Sequence, residues 1–397
     1  MSTLRTVLSQ LSWTDKLLPP AIIIAIILGI VISVYAPNSR KAFQGAEVLG
    51  VSVPLAIGMI VMIVPPLCRL QLENYRMFLE KRLRKQLLIS LVLNWIVCPF
   101  FMLALAWMTL FDLDEYRNGI ILIGLGRCIA MVLVWNQIAH GDQNLCAVLV
   151  IMNSLLQLVL YAPYKIFFCD ILGGARNLNP SGQSSISELY STVASTVGFF
   201  LGIPLALGVL IRLTGMGLFG KKVYETRIMR FISPWSTIGL LYTILVIFIN
   251  KGDSFISGIG TSFRCFVPLV AYFVITWFAV FFGLRMYFGT TKERSAEQEP
   301  LCGCEKQLSE GVENKVWKKC CSSSYPDITT QSFTAASNNF ELSLAVAISL
   351  YGADSSQAIA ATYGPLLEIP VLLILTIVSR YFEAKFLWRD EVTSDSE

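Results

Sequence analysis

The segment GLGRCIAMVLVWNQ, residues 124–137, decides how this chain is read. It is apolar enough to enter a lipid bilayer, yet it carries an arginine, a cysteine, a tryptophan and an asparagine. An arginine at the centre of a membrane helix costs about 2.5–3.5 kcal/mol on insertion scales, so Arg127 requires an interior cavity or a partner. Gly124 and Gly126, just before it, weaken the helix at the same place.

The rest of the chain resembles its surroundings. Of 397 residues, 55% are hydrophobic and only 15% charged, a balance far from that of soluble domains. Apolar runs long enough to cross about 30 Å of hydrocarbon as helices recur almost throughout. They predict an all-α integral membrane protein with ten transmembrane helices, near 17–35, 49–68, 87–110, 119–138, 144–169, 190–213, 232–250, 264–288, 332–351 and 357–379. The first run is retained, since no small-residue cleavage site follows it. If both termini are cytoplasmic, 23 of the 31 lysines and arginines fall on the inner side and about seven on the outer, leaving Arg127 inside. The positive-inside rule favours that orientation.

Ten spans divide as five plus five, and an odd-membered unit repeated in succession is inverted in the membrane. The expected organisation is a first five-helix repeat at 1–169, an extracellular connector at 170–189, and a second repeat at 190–397 with a cytosolic loop at 290–330. An offset of 211 residues sets Gly141 on Gly352, Leu155-Leu156 on Leu366-Leu367, and Cys128 opposite Asn339.

Intramembrane polar residues concentrate in few spans. Arg127, Glu341 and Glu368 lie in the fourth, ninth and tenth, with Trp135 and Asn136 in the fourth, Asn338 and Asn339 in the ninth, and Asn153 and Gln157 in the fifth. The polar run SNNFE, 337–341, weakens the ninth span as the glycines weaken the fourth. Broken fourth and ninth helices at the midplane are therefore expected, the arrangement by which many secondary transporters turn backbone groups toward a substrate. Seven-residue spacing would put Cys128 and Trp135 on one helix face. An adjacent cation favours a thiolate, the form that bonds soft elements. Gly364 and Pro365, one turn before Glu368, would expose carbonyls beside it. Structural roles compete with each reading: cysteines pack, amides join helices, Trp135 suits an interfacial belt, and Arg127 would pair with Glu368 or Glu341.

No P-loop, zincin, hydrolase-elbow or Rossmann motif is present, so neither an enzyme, a bound cofactor nor nucleic-acid recognition is expected. Five of the ten cysteines sit in or beside apolar runs, which argues against a disulfide framework. Those of the 290–330 loop, Cys302, Cys304, Cys320 and Cys321, match no zinc spacing.

The motifs IGMIVMIVPPLCRL (57–70), LVLNWIVCPFFMLALAW (91–107), GLGRCIAMVLVWNQIAHGD (124–142), ISPWSTIGLLYTILVIF (232–248), ASNNFELSLAVAISLYG (336–352) and GPLLEIPVLL (364–373) resemble the arsenical-resistance permeases. These are arsenite efflux proteins of the bile acid, arsenite and riboflavin transporter superfamily, and the long 290–330 loop resembles fungal members. The resemblance implies extrusion of trivalent arsenic, as arsenite and sometimes antimonite, in exchange for protons across the plasma or vacuolar membrane. It places the essential thiol, the ligand for As(III), on Cys128 and the essential, proton-coupling acid on Glu368. Arg127, Trp135, Asn153, Glu341, Asn338 and Asn339 become the supporting substrate-binding positions. Two rival readings stand beside it: a sodium-coupled organic-anion symporter of the bile-acid type, and a non-transporting membrane receptor. The oligomeric state is not encoded in any feature of the sequence.

Overall fold

A computed structural model describes residues 13–36, parts of 38–43, 45–69, 81–174, 186–257, 259–290, 324–352, 355–386 and 388. The cysteines of the 290–330 loop and the chain ends lie outside the described residues. What is described is almost wholly helical, as expected of an integral membrane protein whose backbone groups must be satisfied within each segment. A two-residue hairpin, β1 (Glu47–Val48) with β2 (Val51–Ser52), precedes the second helix.

The helices are α1 (Trp13–Tyr35), α2 (Val53–Leu67), α3 (Lys81–Val92), α4 (Cys98–Thr109), α5 (Asp114–Leu125), α6 (Met131–Ile138) and α7 (Gln143–Lys165). They continue with α8 (Ile186–Val197), α9 (Ile203–Phe219), α10 (Met229–Ser257), α11 (Ile259–Thr290), α12 (Tyr325–Ala336), α13 (Phe340–Tyr351) and α14 (Ser356–Lys385). One π-turn, Leu93–Val97, joins α3 to α4, and another, Gly198–Gly202, joins α8 to α9. Six continuous helical stretches are long and apolar enough to cross a membrane: Leu83–Thr109, Gln143–Leu172, Ile186–Phe219, Lys221–Asn250, Phe263–Phe288 and Ser356–Lys385. Shorter apolar helices, among them Val53–Leu67 and Phe340–Tyr351, complete the set. The chain is a multi-pass membrane protein.

Packing sorts the helices into two groups. In one, α10 lies along α1 and α2, and α9 packs on α2. Here a Cβ on Gly239 would stand 2.7 Å from the Met62 backbone nitrogen, the close backbone approach that small residues permit between membrane helices. In the other, α11 packs on α12, α14 and α4, while α5 packs on α14 and α4. Gly119 has the same function there, since its Cβ would meet the Gln357 carbonyl at 2.6 Å. Helix α8 touches α7 and α13 and so joins the two groups. The second group holds two helix interruptions among the described residues, between α5 and α6 and between α12 and α13.

Candidate functional site

At the end of α5, Gly126 turns extended (φ −87°, ψ 138°), and at the end of α12 Ser337 does the same (φ −94°, ψ 140°). The two extended segments meet as an antiparallel bridge between Arg127 and Asn338. The Cys128 amide donates to the Ser337 carbonyl at 3.4 Å, and the Asn339 amide donates to the Gly126 carbonyl at 3.2 Å. Each bond is the counterpart of the other under the 211-residue offset. Asn338 Nδ2 donates to the carbonyls of Ile123 (2.8 Å) and Gly126 (3.2 Å), closing the exposed end of α5. Asn339 Oδ1 caps α13 by accepting the Leu342 amide at 3.1 Å. Cys128 holds the equivalent place before α6, where its Sγ accepts the Val132 amide at 3.4 Å.

Arg127 is wholly buried. Its guanidinium donates to the Gly124 carbonyl in the last turn of α5, to the Ala335 carbonyl in the last turn of α12 (3.3 Å), and to the Tyr272 hydroxyl (2.9 Å). One cation thus faces the negative poles of two interrupted helices. Tyr272 Oη and the Cys98 thiol converge on the same Ala335 carbonyl at 3.0 and 3.6 Å.

Helix α7 lays a buried polar stripe against this crossing, with Asn153, Gln157 and Tyr161 spaced four apart. Gln157 accepts the Arg127 amide at 3.1 Å and donates to the Arg127 carbonyl at 3.0 Å. It also accepts from Asn339 Nδ2 at 3.2 Å. Tyr161 donates to the Leu122 carbonyl (3.1 Å) and to Ser343 Oγ (3.2 Å). Asn153 Oδ1 accepts the Trp95 indole N–H at 3.0 Å.

Cys128 is buried, and its electrostatic neighbours are Glu368 and Glu341. Its sulfur is held at the start of α6 by the Val132 amide. Glu341 stands in the first turn of α13. Glu368, buried on α14, lies against Ser337 and the Asn338 amide, yet its Oε1 has no hydrogen-bond partner. Trp135 Nε1, Asn153 Nδ2, Asn338 Oδ1 and Ser337 Oγ are likewise buried without partners. Buried polar atoms are normally satisfied, and the unpartnered ones of Ser337, Asn338 and Glu368 lie at or beside the crossing. Among the described residues no group of three or more His, Cys, Asp or Glu side chains could hold a metal ion, and the six cysteines described are all free.

Five sequence expectations are corrected. The Arg127 guanidinium pairs with neither Glu368 nor Glu341 and does not stand beside the Cys128 thiol: carbonyls freed by the two helix ends, Tyr272 and Cys98 take it instead. Cys128 precedes the first residue of α6, so its spacing from Trp135 does not place the two on one helix face. Trp135 is buried, outside any interfacial belt. Helix α14 runs unbroken through Pro365, and the bare Gly364 backbone instead admits the Phe340 ring. Asn136 is helix-joining glue, bonded to Thr330 Oγ1 at 2.8 Å and the Asp142 carbonyl at 3.1 Å. Tyr272 and Cys98, central to the crossing, carry no signal in the sequence: one is a lone tyrosine and the other a small thiol in apolar runs. Gln157 is legible from its four-residue spacing to Asn153.

Apolar helices around a buried crossing of two interrupted helices, with unpaired polar atoms beside it, define a membrane transporter. The family model of the Sodium Bile acid symporter family matches residues 56–258. The chain is 35% identical over 390 residues to the arsenical-resistance protein Acr3 of Corynebacterium glutamicum, covering 98% of this chain and 94% of that one. It is 26% identical over 364 residues to Acr3 of Alkaliphilus metalliredigens, covering 89% and 88%. An uncharacterised transporter of Synechocystis is 26% identical over 385 residues, covering 92% and 88%. The chain belongs to the Sodium Bile acid symporter family and, within it, to the Acr3 arsenical-resistance proteins.

Proposed function

We propose that this protein exports trivalent arsenic from the cytosol in exchange for protons, with Cys128 as the arsenic ligand and Glu368 as the proton carrier. The observation that carries the reading is the position of the Cys128 sulfur: outside any helix, held by the amide of Val132, with Glu341 and Glu368 as its charged neighbours. Trivalent arsenic is thiophilic, and arsenite near neutral pH is an uncharged trihydroxide. Capture exchanges one arsenic–oxygen bond for an arsenic–sulfur bond. The thiol proton leaves with the displaced hydroxide as water, and attack by water on the far side reverses the step. A single thiol holds the metalloid weakly enough for release. Glu368 takes a proton from outside and passes it inward as the helix groups rock, so proton and ligand compete for one charged state of the cavity.

In this reading the spans number ten: α1, α2, α3–α4, α5–α6, α7, α8–α9, α10, α11, α12–α13 and α14. The exchanged bonds at 126–128 and 337–339 support an inverted repeat, as do the matched bounds of α5 and α12, which differ by 211 at both ends. The halves are 1–169 and 190–397, joined by an outer connector at 170–189. The lysine and arginine bias supports cytoplasmic termini, and the plasma membrane suits an extruder. Antimonite, also a soft trihydroxide, fits the same donors. Two carboxyl groups beside the thiol disfavour an organic anion.

The test is arsenite flux in proteoliposomes with and without an imposed proton gradient. Cys128→Ser is expected to abolish flux while leaving the protein folded, and Glu368→Gln to leave residual flux that no longer responds to the gradient. Full transport by the serine variant excludes the thiol as a ligand, and gradient-driven export by the glutamine variant moves the proton site elsewhere.

A further inference from the structure

Glu341, an electrostatic neighbour of Cys128, also lines a crevice between the two helix groups. One wall belongs to α13 and α14, through Glu341, Ala361 and Pro365; the opposite wall belongs to α2 and α10, through Met59, Met62 and Thr243. The two walls come from the two different helix groups. Thr243 is buried, and its Oγ1 has no hydrogen-bond partner. Room for that hydroxyl depends on Gly58, where a Cβ would stand 2.6 Å from it. Across the crevice from Thr243 stand Ala361 and Pro365 of α14. A carboxyl and an unpaired hydroxyl are thus gathered in an otherwise apolar seam, with two thioethers beside them.

We infer that α2 and α10 supply the second wall of the substrate site, with Thr243 hydrogen-bonding a metalloid hydroxyl and the Met59 and Met62 thioethers contacting the soft central atom. The inference rests on the arsenic-export reading and adds the residues that select the substrate. A neutral trihydroxide offers three hydroxyls, each able to donate and to accept. Glu341 accepts, and Thr243 does either. Thioethers are polarizable and suit soft centres. The same seam rejects an organic anion, because a carboxyl faces it and no cation lines it. The cavity measures about 10 Å³, the room of about one water molecule. The walls are therefore closed in this conformation, and substrate enters when the two helix groups part.

The experiment uses the full-length protein with arsenite as the probe, in proteoliposomes for transport and in detergent for arsenite-dependent thermal stabilisation. Thr243→Val is expected to raise the KM for arsenite about 3- to 10-fold, the value of one hydrogen bond, with the maximal rate within about twofold. Thr243→Ser restores the wild-type KM. Joint Met59→Leu and Met62→Leu substitution, conservative in volume, raises KM similarly, and both changes reduce the rise in Tm that arsenite gives. If Thr243→Val does not fold, Thr243→Ala is read in its place. An unchanged KM and an unchanged arsenite-induced Tm shift in the folded variants overturn the inference while leaving the export reading standing. A wild-type protein that moves no arsenite overturns both.

Discussion

At the scale of the residue, Arg127 shows how a buried charge is accommodated without a counter-ion. Its insertion cost, about 2.5–3.5 kcal/mol, is offset by carbonyls at the last turns of α5 and α12 and by the Tyr272 hydroxyl. A guanidinium reaches both helix ends because its donors form a planar fork; an ammonium is a point charge. Arg127→Lys is therefore expected to lower Tm and weaken arsenite transport, and Arg127→Met to do so more severely, by thermal melting and flux on the same preparations. That Arg127 lies inside, with a cysteine next in sequence, is legible from the sequence. Its partners are not. A sequence displays carboxylates as candidate partners, whereas carbonyls become acceptors only once a helix ends, and where two ends meet is a tertiary fact. The same limit applies to Cys128 and Trp135, whose spacing carries directional meaning only inside a continuous helix.

At the scale of the element, the two interruptions are legible because residues that favour non-helical backbone fall amid apolar runs: Gly124 and Gly126 in one, Ser337 to Asn339 in the other. The π-turns within otherwise continuous helices have no comparable signature. Pro365 misleads in the opposite direction, since α14 continues through it. The turn between α4 and α5 carries a surface tie, in which Arg264 Nη1 donates to Asp112 Oδ2 at 2.8 Å. The hydrogen bonds from Arg264 hold the Asp112 carboxyl below the usual carboxylate range. A carboxyl so lowered contributes its stability above the ordinary value of 3.8 and loses it only as pH falls through the lower folded value. The Tm difference between wild type and Asp112→Asn should accordingly stay constant from neutral pH down to about 3.8 and shrink as pH falls from there toward the lower folded value.

At the scale of the whole molecule, the proposed transport cycle has the group containing α1, α2 and α10 move against the group that holds the crossing. Helix α8 spans the boundary, where Thr196 Oγ1 and Ser349 Oγ of α13 lie 2.9 Å apart. Cysteines at both positions, oxidised to a disulfide, are expected to arrest arsenite flux, and a reductant to restore it. Unimpeded flux in the cross-linked protein would mean that this boundary does not move. Division into two groups is beyond sequence reading, since it depends on which glycines let which backbones touch, as Gly239 and Gly119 do. Where the interrupted helices cross, the amides of Arg127, Cys128 and Asn339 are all engaged although none belongs to a helix. In deuterated solvent these protons should exchange as slowly as those of the helices on either side. The crossing would then be a fulcrum, and the yielding parts of the protein would lie around it.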